Sequence, residues 1–173
     1  MGDVGSRAGL KKGTRVFILT VSDGVASGAR LDRSGGVLAA RMAELGAETE
    51  RGYVPDDIDE IRAAVLDAAA TAHIVLTTGG TGLTPRDVTP QATRAILDQE
   101  IPGIAEAMRA GGRQSTPLAD LSRAVAGMIG HCLVINLPGS PNGALESLAA
   151  IEPVLAHAVE TLAGPHDHDT ART

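Results

Sequence analysis

Three stretches of the chain are apolar on consecutive positions: residues 14–21 (Thr-Arg-Val-Phe-Ile-Leu-Thr-Val), 73–78 (His-Ile-Val-Leu-Thr-Thr) and 132–137 (Cys-Leu-Val-Ile-Asn-Leu). Short runs of this kind, rich in β-branched residues, predict strands buried on both faces, as in parallel sheets. A weaker strand is predicted over residues 48–54. Between these runs apolar positions recur at helical spacing. Leu38, Met42 and Leu45 form one stripe stopped by Gly46, and Ile58, Ile61, Val65 and Ala69 form another behind Asp56 or Asp57, either of which can cap it. Thr89-Pro90 reads as a cap followed by proline at the first helical position. Helical patterning then continues to about Gly127, interrupted at Pro102-Gly103 and Gly111-Gly112. Ser140-Pro141 opens a last helix, which Pro153 is expected to kink or divide before it ends near Gly164.

The order β-α-β-α-β, then helices, then β-α predicts an α/β fold: three layers, a mostly parallel sheet with helices on both faces. The 173 residues suit one domain, expected over 14–164, with polar, flexible tails at 1–13 and 165–173. Right-handed crossovers carry every strand-to-helix loop to one edge of such a sheet, where ligands bind. Four polar segments fall there: Ser22-Asp23, Pro55-Asp56-Asp57, residues 79–87 and residues 136–142. Distant in sequence, they are expected to converge in space.

Charge and composition narrow the chemistry. A net charge of −6, with no Trp, one Phe and one Tyr, argues against nucleic acid as a partner. No run of about 18 apolar residues exists to span a membrane, and the first residues lack the apolar core of a signal peptide. The single cysteine, Cys132, excludes an internal disulfide and multi-cysteine metal sites and suits a cytoplasmic protein. Of fifteen basic residues only Lys11 and Lys12 are lysines, both ahead of the first strand, so neither a Walker A loop nor a Schiff-base lysine is present. His73, His131 and His157 show no metal-ligand spacing, and His166 and His168 lie in the tail.

Within the four segments, Thr78-Gly79-Gly80-Thr81-Gly82 ends a strand with a glycine cluster, either a backbone nest for phosphate or simply a tight turn. Arg86 and Asp87 add a cation and a carboxylate just before a helix; Asp87 is also readable as a turn residue. Asp56 or Asp57, together with Asp87, could supply the one or two carboxylates that hold a nucleotide-bound magnesium ion, with Asp23 a third candidate. Asn136-Leu137-Pro138-Gly139-Ser140-Pro141 joins a buried strand to a helix N-terminus, which favours anions or serves as a rigid connection.

These residues carry a resemblance. Val21-Ser22-Asp23, Asp32-x-Ser34-Gly35, Val54-Pro55-Asp56, Leu-Thr-Thr-Gly-Gly-Thr-Gly over 76–82, and Arg86-Asp87-Val88-Thr89-Pro90 occur in order. Glu100-x-Pro102-Gly103, Ser122-Arg123 and Asn136-Leu137-Pro138-Gly139-Ser140-Pro141 follow. The whole set, over about residues 14–163, strongly resembles the MogA/MoaB family of molybdenum-cofactor biosynthesis proteins, which includes a domain of gephyrin. The resemblance implies an α/β domain that forms a homotrimer, binds molybdopterin and, in active members, transfers AMP from ATP to the terminal phosphate of molybdopterin with Mg²⁺, releasing pyrophosphate. It implies catalytic roles for Asp56 and Asp87, which we expect to position Mg²⁺ and the nucleotide. It implies substrate contacts at Ser22, Asp23, Thr78, Gly79, Gly80, Thr81, Gly82, Glu100, Ser122, Arg123, Asn136, Pro138, Gly139 and Ser140. Other molybdenum-cofactor enzymes are implied as partners.

Where many relatives carry Lys after Gly-Ser-Pro, this chain has Asn142, leaving phosphate contacts to Arg86, Arg109 or Arg123. With so few rings, adenine and the pterin are expected to rest on backbone and aliphatic groups. A non-catalytic molybdopterin-binding or scaffold paralogue is the alternative. A second is a fragment resembling part of a larger protein, such as the molybdenum-insertion enzyme or the competence-damage protein.

Overall fold

The computed structural model describes residues 9–164. The expectations for residues 1–8 and 165–173, including His166 and His168, lie outside them. At the centre, β1 (Arg15–Val21), β3 (Ile74–Thr78) and β6 (Cys132–Leu137) run parallel, with β2 (Glu48–Val54) parallel on the outer side of β1. β5 (Ala126–Ile129) pairs antiparallel with β6, and β4 (Gln99–Glu100) antiparallel with β5, giving the order β2-β1-β3-β6-β5-β4.

The uninterrupted apolar runs serve both faces. Val16 and Ile18 of β1, Ile74 and Leu76 of β3, and Leu133, Ile135 and Leu137 of β6 pack toward α2 (Arg33–Glu44), α5 (Pro102–Gly112) and α6 (Pro141–Leu162). The alternate residues Leu19, Val21, Val75, Cys132 and Val134 pack toward α3 (Ile58–Ala69) and α4 (Thr89–Arg94). This is the expected three-layer arrangement. Arg41 clamps α2 to α6 through two bonds to the Glu152 carboxylate, both 2.7 Å.

One open alternative is settled, and several local expectations change. Asp57, not Asp56, caps α3, accepting from the Asp59 and Glu60 N–H groups. Ile58 is exposed, and the buried face of α3 is Ile61, Val65 and Ala68. Val88 is the N-cap of α4, which moves Thr89 inside the helix; the Thr89 hydroxyl donates to the Gly79 carbonyl instead. The stretch expected to stay helical to Gly127 contains β4, a 3-10 turn over Pro117–Leu121, and β5. Strands this short carry no periodicity of their own and exist through pairing, β5 with β6 and β4 with β5. Finally, α6 runs unbroken through Pro153. Pro153 and Ala149, whose carbonyl loses its helical donor, both lie on the exposed side, where water can satisfy that oxygen. At the N-terminal end, the Leu10 N–H donates to the Leu45 carbonyl and its side chain packs on the core.

Candidate functional site at the carboxyl edge of the sheet

β1 is followed in sequence by β2 on one side and β3 on the other, so the chain reverses its direction of travel across the sheet between β1 and β3. Crevices form at such points beyond the carboxyl ends of the strands. Here Thr20 stands opposite Thr78, and Thr78 opposite Leu137, so the loops after all three central strands leave at one level.

The loops are tied to each other. The Gly79 N–H donates to the Leu137 carbonyl, the Thr78 hydroxyl to the Pro138 carbonyl at 2.7 Å, and the Thr89 N–H to the Gly80 carbonyl. Gly79 has φ +103, and a Cβ there would stand 2.3 Å from the Val21 carbonyl oxygen. Only glycine fits a loop pressed this close to β1. A Cβ on Gly139 would meet Gly79 Cα at 3.1 Å, so the loops after β3 and β6 lie against each other.

Aspartates flank the glycine loop. Asp23 and Asp56 bond reciprocally, each backbone N–H donating to the other's carboxylate. Arg86 donates to the second Asp23 oxygen. The Asp56 N–H, and then Arg86, hold the Asp23 carboxyl below its usual range. Asp56 approaches Gly80, whose added Cβ would lie 3.5 Å from its Oδ1. Asp87 Oδ2 accepts from the Thr84 N–H at 2.8 Å and the Thr84 hydroxyl at 2.7 Å, and lies beside Gly82. Burial alone would raise the Asp87 pKa. The Thr84 hydroxyl, the Thr84 and Gly82 N–H groups and Arg123 outweigh it, and the carboxyl stays below its usual range.

Two clefts open around this junction. One, of about 770 Å³, is floored by Thr20, Ser22, Thr78 and Gly79, and is walled by Gly139, Ser140, Arg30, Arg33 and Leu31. The other, of about 360 Å³, is mostly apolar: Met108, Ala105, Leu118, Leu121 and Pro138 line it with Thr81, Gly82, Ser122, Arg109 and Glu146. Ser140 belongs to both. It caps α6, accepting from the Gly143 N–H at 3.2 Å. Asp56 and Asp87 line neither cleft; they stand at the glycine loop that separates them.

Ser22, Asp23, Asp56, Thr78 through Gly82, Asp87, Ser122, Arg123 and Pro138 through Ser140 therefore gather as expected. Two expected contact residues do not. The side chain of Asn136 is fully buried beneath the site: its amide donates to the Thr77 and Thr93 hydroxyls and its oxygen accepts from the Val125 N–H. It braces β3, β6 and α4 and has no surface left for a ligand. Glu100 sits on the edge strand β4, exposed and paired with Arg94 at 2.9 Å, away from both clefts.

The three arginines separate too. Arg86 is held by Asp23, and Arg123 donates to the Gly82 and Asp87 carbonyls, so only Arg109 lines a cleft. Arg30, Leu31, Arg33 and Glu146 were not anticipated. Arg30 and Arg33 flank Asp32, whose capping role was the signal available. Among the described residues no cluster of three or more His, Cys, Asp or Glu forms a metal centre, and no helix is long and apolar enough to cross a membrane.

A family model described as "Probable molybdopterin binding domain" matches residues 17–157. The chain belongs to that family. Molybdopterin adenylyltransferase from Helicobacter pylori is 34% identical over 154 residues, covering 86% of this chain and 88% of that protein. Gephyrin from Dictyostelium discoideum is 36% identical over 156 residues, 83% of this chain; this chain spans only 22% of gephyrin's length. Among solved structures, the molybdopterin biosynthesis enzyme MoaB from Thermus thermophilus superposes with a TM-score of 0.80 at 48% identity, over 88% of this chain and 98% of that one. The chain thus shares fold and sequence with relatives named for molybdopterin adenylyl transfer and molybdopterin biosynthesis.

Proposed function

We propose that the protein is a molybdopterin adenylyltransferase of molybdenum-cofactor biosynthesis, moving AMP from ATP to the terminal phosphate of molybdopterin and releasing pyrophosphate. The observation that carries this reading is the pair of clefts of opposite character meeting at Ser140, with the glycine loop and two aspartates between them. The polar cleft, with Arg30 and Arg33, suits the nucleotide. The apolar cleft, with Ser122, suits the pterin. Their junction is where two phosphates must meet.

The nucleophile is then the substrate's own phosphate, already largely ionised near neutral pH because its second pKa is about 6. No protein base is required. The residues align two anions and offset their repulsion, and in a site shielded from bulk water fixed donors do this effectively. The Gly80 and Thr81 N–H groups, the Thr81 hydroxyl and the N-terminus of α6 supply such donors.

Asp56 and Asp87 fit a magnesium ion shared with a nucleotide, which takes one or two carboxylates and completes its shell with phosphate oxygens and water. Such an ion, when bound, neutralises charge building on the leaving pyrophosphate. We read the assembly as a homotrimer and the compartment as cytoplasmic, on the family resemblance and the lone buried thiol.

The test is purified protein with molybdopterin, ATP and Mg²⁺, followed by detection of adenylylated molybdopterin. Retention of molybdopterin without product selects the scaffold alternative and overturns this reading.

A further inference from the structure

The apolar cleft holds two charged side chains, Arg109 from the last turn of α5 and Glu146 from α6. Both are half-buried and both are oriented by neighbours. Arg109 Nη1 reaches the Ser122 and Ala124 carbonyls at 3.4 and 3.3 Å, and none of its other N–H donors has a partner among the described residues. Glu146 Oε1 accepts from the Ser115 hydroxyl at 2.8 Å, and its second oxygen has no partner among the described residues. The two do not pair with each other. A carboxylate and a guanidinium, each only partly satisfied, face into a cleft whose other walls are mostly apolar. Their remaining hydrogen-bonding groups open onto the cleft and are available to a ligand seated there.

A pterin ring has a matching edge. Its 2-amino group and N3–H are adjacent donors that one carboxylate can accept together, and the neighbouring 4-oxo group accepts from a cation. We propose that Glu146 and Arg109 read this edge: Glu146 takes the 2-amino and N3–H donors, Arg109 donates to the 4-oxo oxygen, and Ser115 holds the Glu146 carboxylate in orientation. This rests on the reading of the apolar cleft as the pterin site and deepens it, making Glu146 the residue that distinguishes a pterin from a ring lacking the 2-amino donor.

The experiment compares binding of 6-hydroxymethylpterin and 6-hydroxymethyllumazine, which carries a 2-oxo group in place of the 2-amino group, by fluorescence titration of the full chain. The wild type should prefer the pterin by about 10- to 100-fold, the range for a hydrogen bond to a charged group. Glu146→Gln should reduce that preference to within about threefold while the ATP affinity stays unchanged. Ser115→Ala, which keeps the carboxylate, should retain most of it; this separates ring reading from a structural Ser115–Glu146 bond. Pterin binding with the same preference in wild type and Glu146→Gln overturns this inference and leaves the site reading standing. A wild type that binds neither ring overturns both.

Discussion

Asp23 and Asp56 hold each other by two hydrogen bonds, Asp23 N–H to Asp56 Oδ2 at 2.9 Å and Asp56 N–H to Asp23 Oδ1 at 3.0 Å. The pair locks the loop after β1 to the loop after β2, and Arg86 adds the loop after β3. Asp23→Ala removes the acceptor for both Asp56 N–H and Arg86. Because the pair is exposed, the melting temperature should move little, while AMP transfer falls by about 10-fold or more as Asp56 loses its placement. Transfer at the wild-type rate would show that Asp56 needs no such support.

The same pair sets an acid limit. The Asp23 carboxyl titrates below its ordinary value of 3.8 in the fold, so its contribution is complete above that value and is lost as pH falls through the lower, folded one. Carboxyl chemical shifts followed by NMR should therefore show Asp23 still ionised at pH 3.8. A midpoint at or above 3.8 would contradict the Asp56 and Arg86 contacts.

Asp87→Asn should reduce turnover by about 100-fold or more, on the scale of losing one positioned electrostatic group, with a much smaller change in molybdopterin affinity. The amide oxygen of asparagine can still accept from Thr84, so the loop should survive. Single-turnover rates set against equilibrium binding separate the two effects, and equal losses in both would remove Asp87 from the metal–nucleotide role.

Asn136→Leu leaves the Thr77 and Thr93 hydroxyls and the Val125 N–H without a buried partner. The expected cost is about 2–4 kcal/mol, or roughly 5–15 °C in melting temperature for a domain of this size. Calorimetry checks it. A stable variant that simply fails to bind substrate would restore Asn136 to the ligand contacts.

Gly79→Ala and Gly28→Ala form a matched pair. Both glycines have positive φ, but only at Gly79 would the new methyl strike backbone, while Gly28 has open space around it. Gly28→Ala should cost about 1 kcal/mol for conformation alone, and Gly79→Ala clearly more because the loop must move off β1. Chemical denaturation of both variants measures the difference.

The central strands were legible because β1, β3 and β6 are covered on both faces, and burial on both faces leaves an unbroken apolar run. Helices α2 and α3 were legible from their stripes, although Ile58 falls at the end of its stripe and is exposed. Strands β4 and β5 were not: two and four residues long, they owe their form to pairing, β5 with β6 and β4 with β5, and leave no period in the sequence. Val88 replaced Thr89 as a cap because the Thr89 hydroxyl is claimed by Gly79 from another loop. Local chemistry named a capable residue, and a contact distant in sequence took it.

What the sequence by itself determined was the order of elements, the family motifs and the convergence of four loops, because these follow from periodicity and from the handedness of crossovers. It also determined that, with no lysine after Lys12, phosphates must be met by backbone, hydroxyls, arginine or a metal. Only the tertiary structure decided which arginine is available, because Arg86 and Arg123 are engaged by partners 63 and 36–41 residues away. It also placed Asn136 in the core, Glu100 at the outer edge, and Arg109 and Glu146 in one apolar cleft. Those assignments depend on hydrogen-bond partners and shared walls contributed by separate elements, and no local pattern of residue types encodes them.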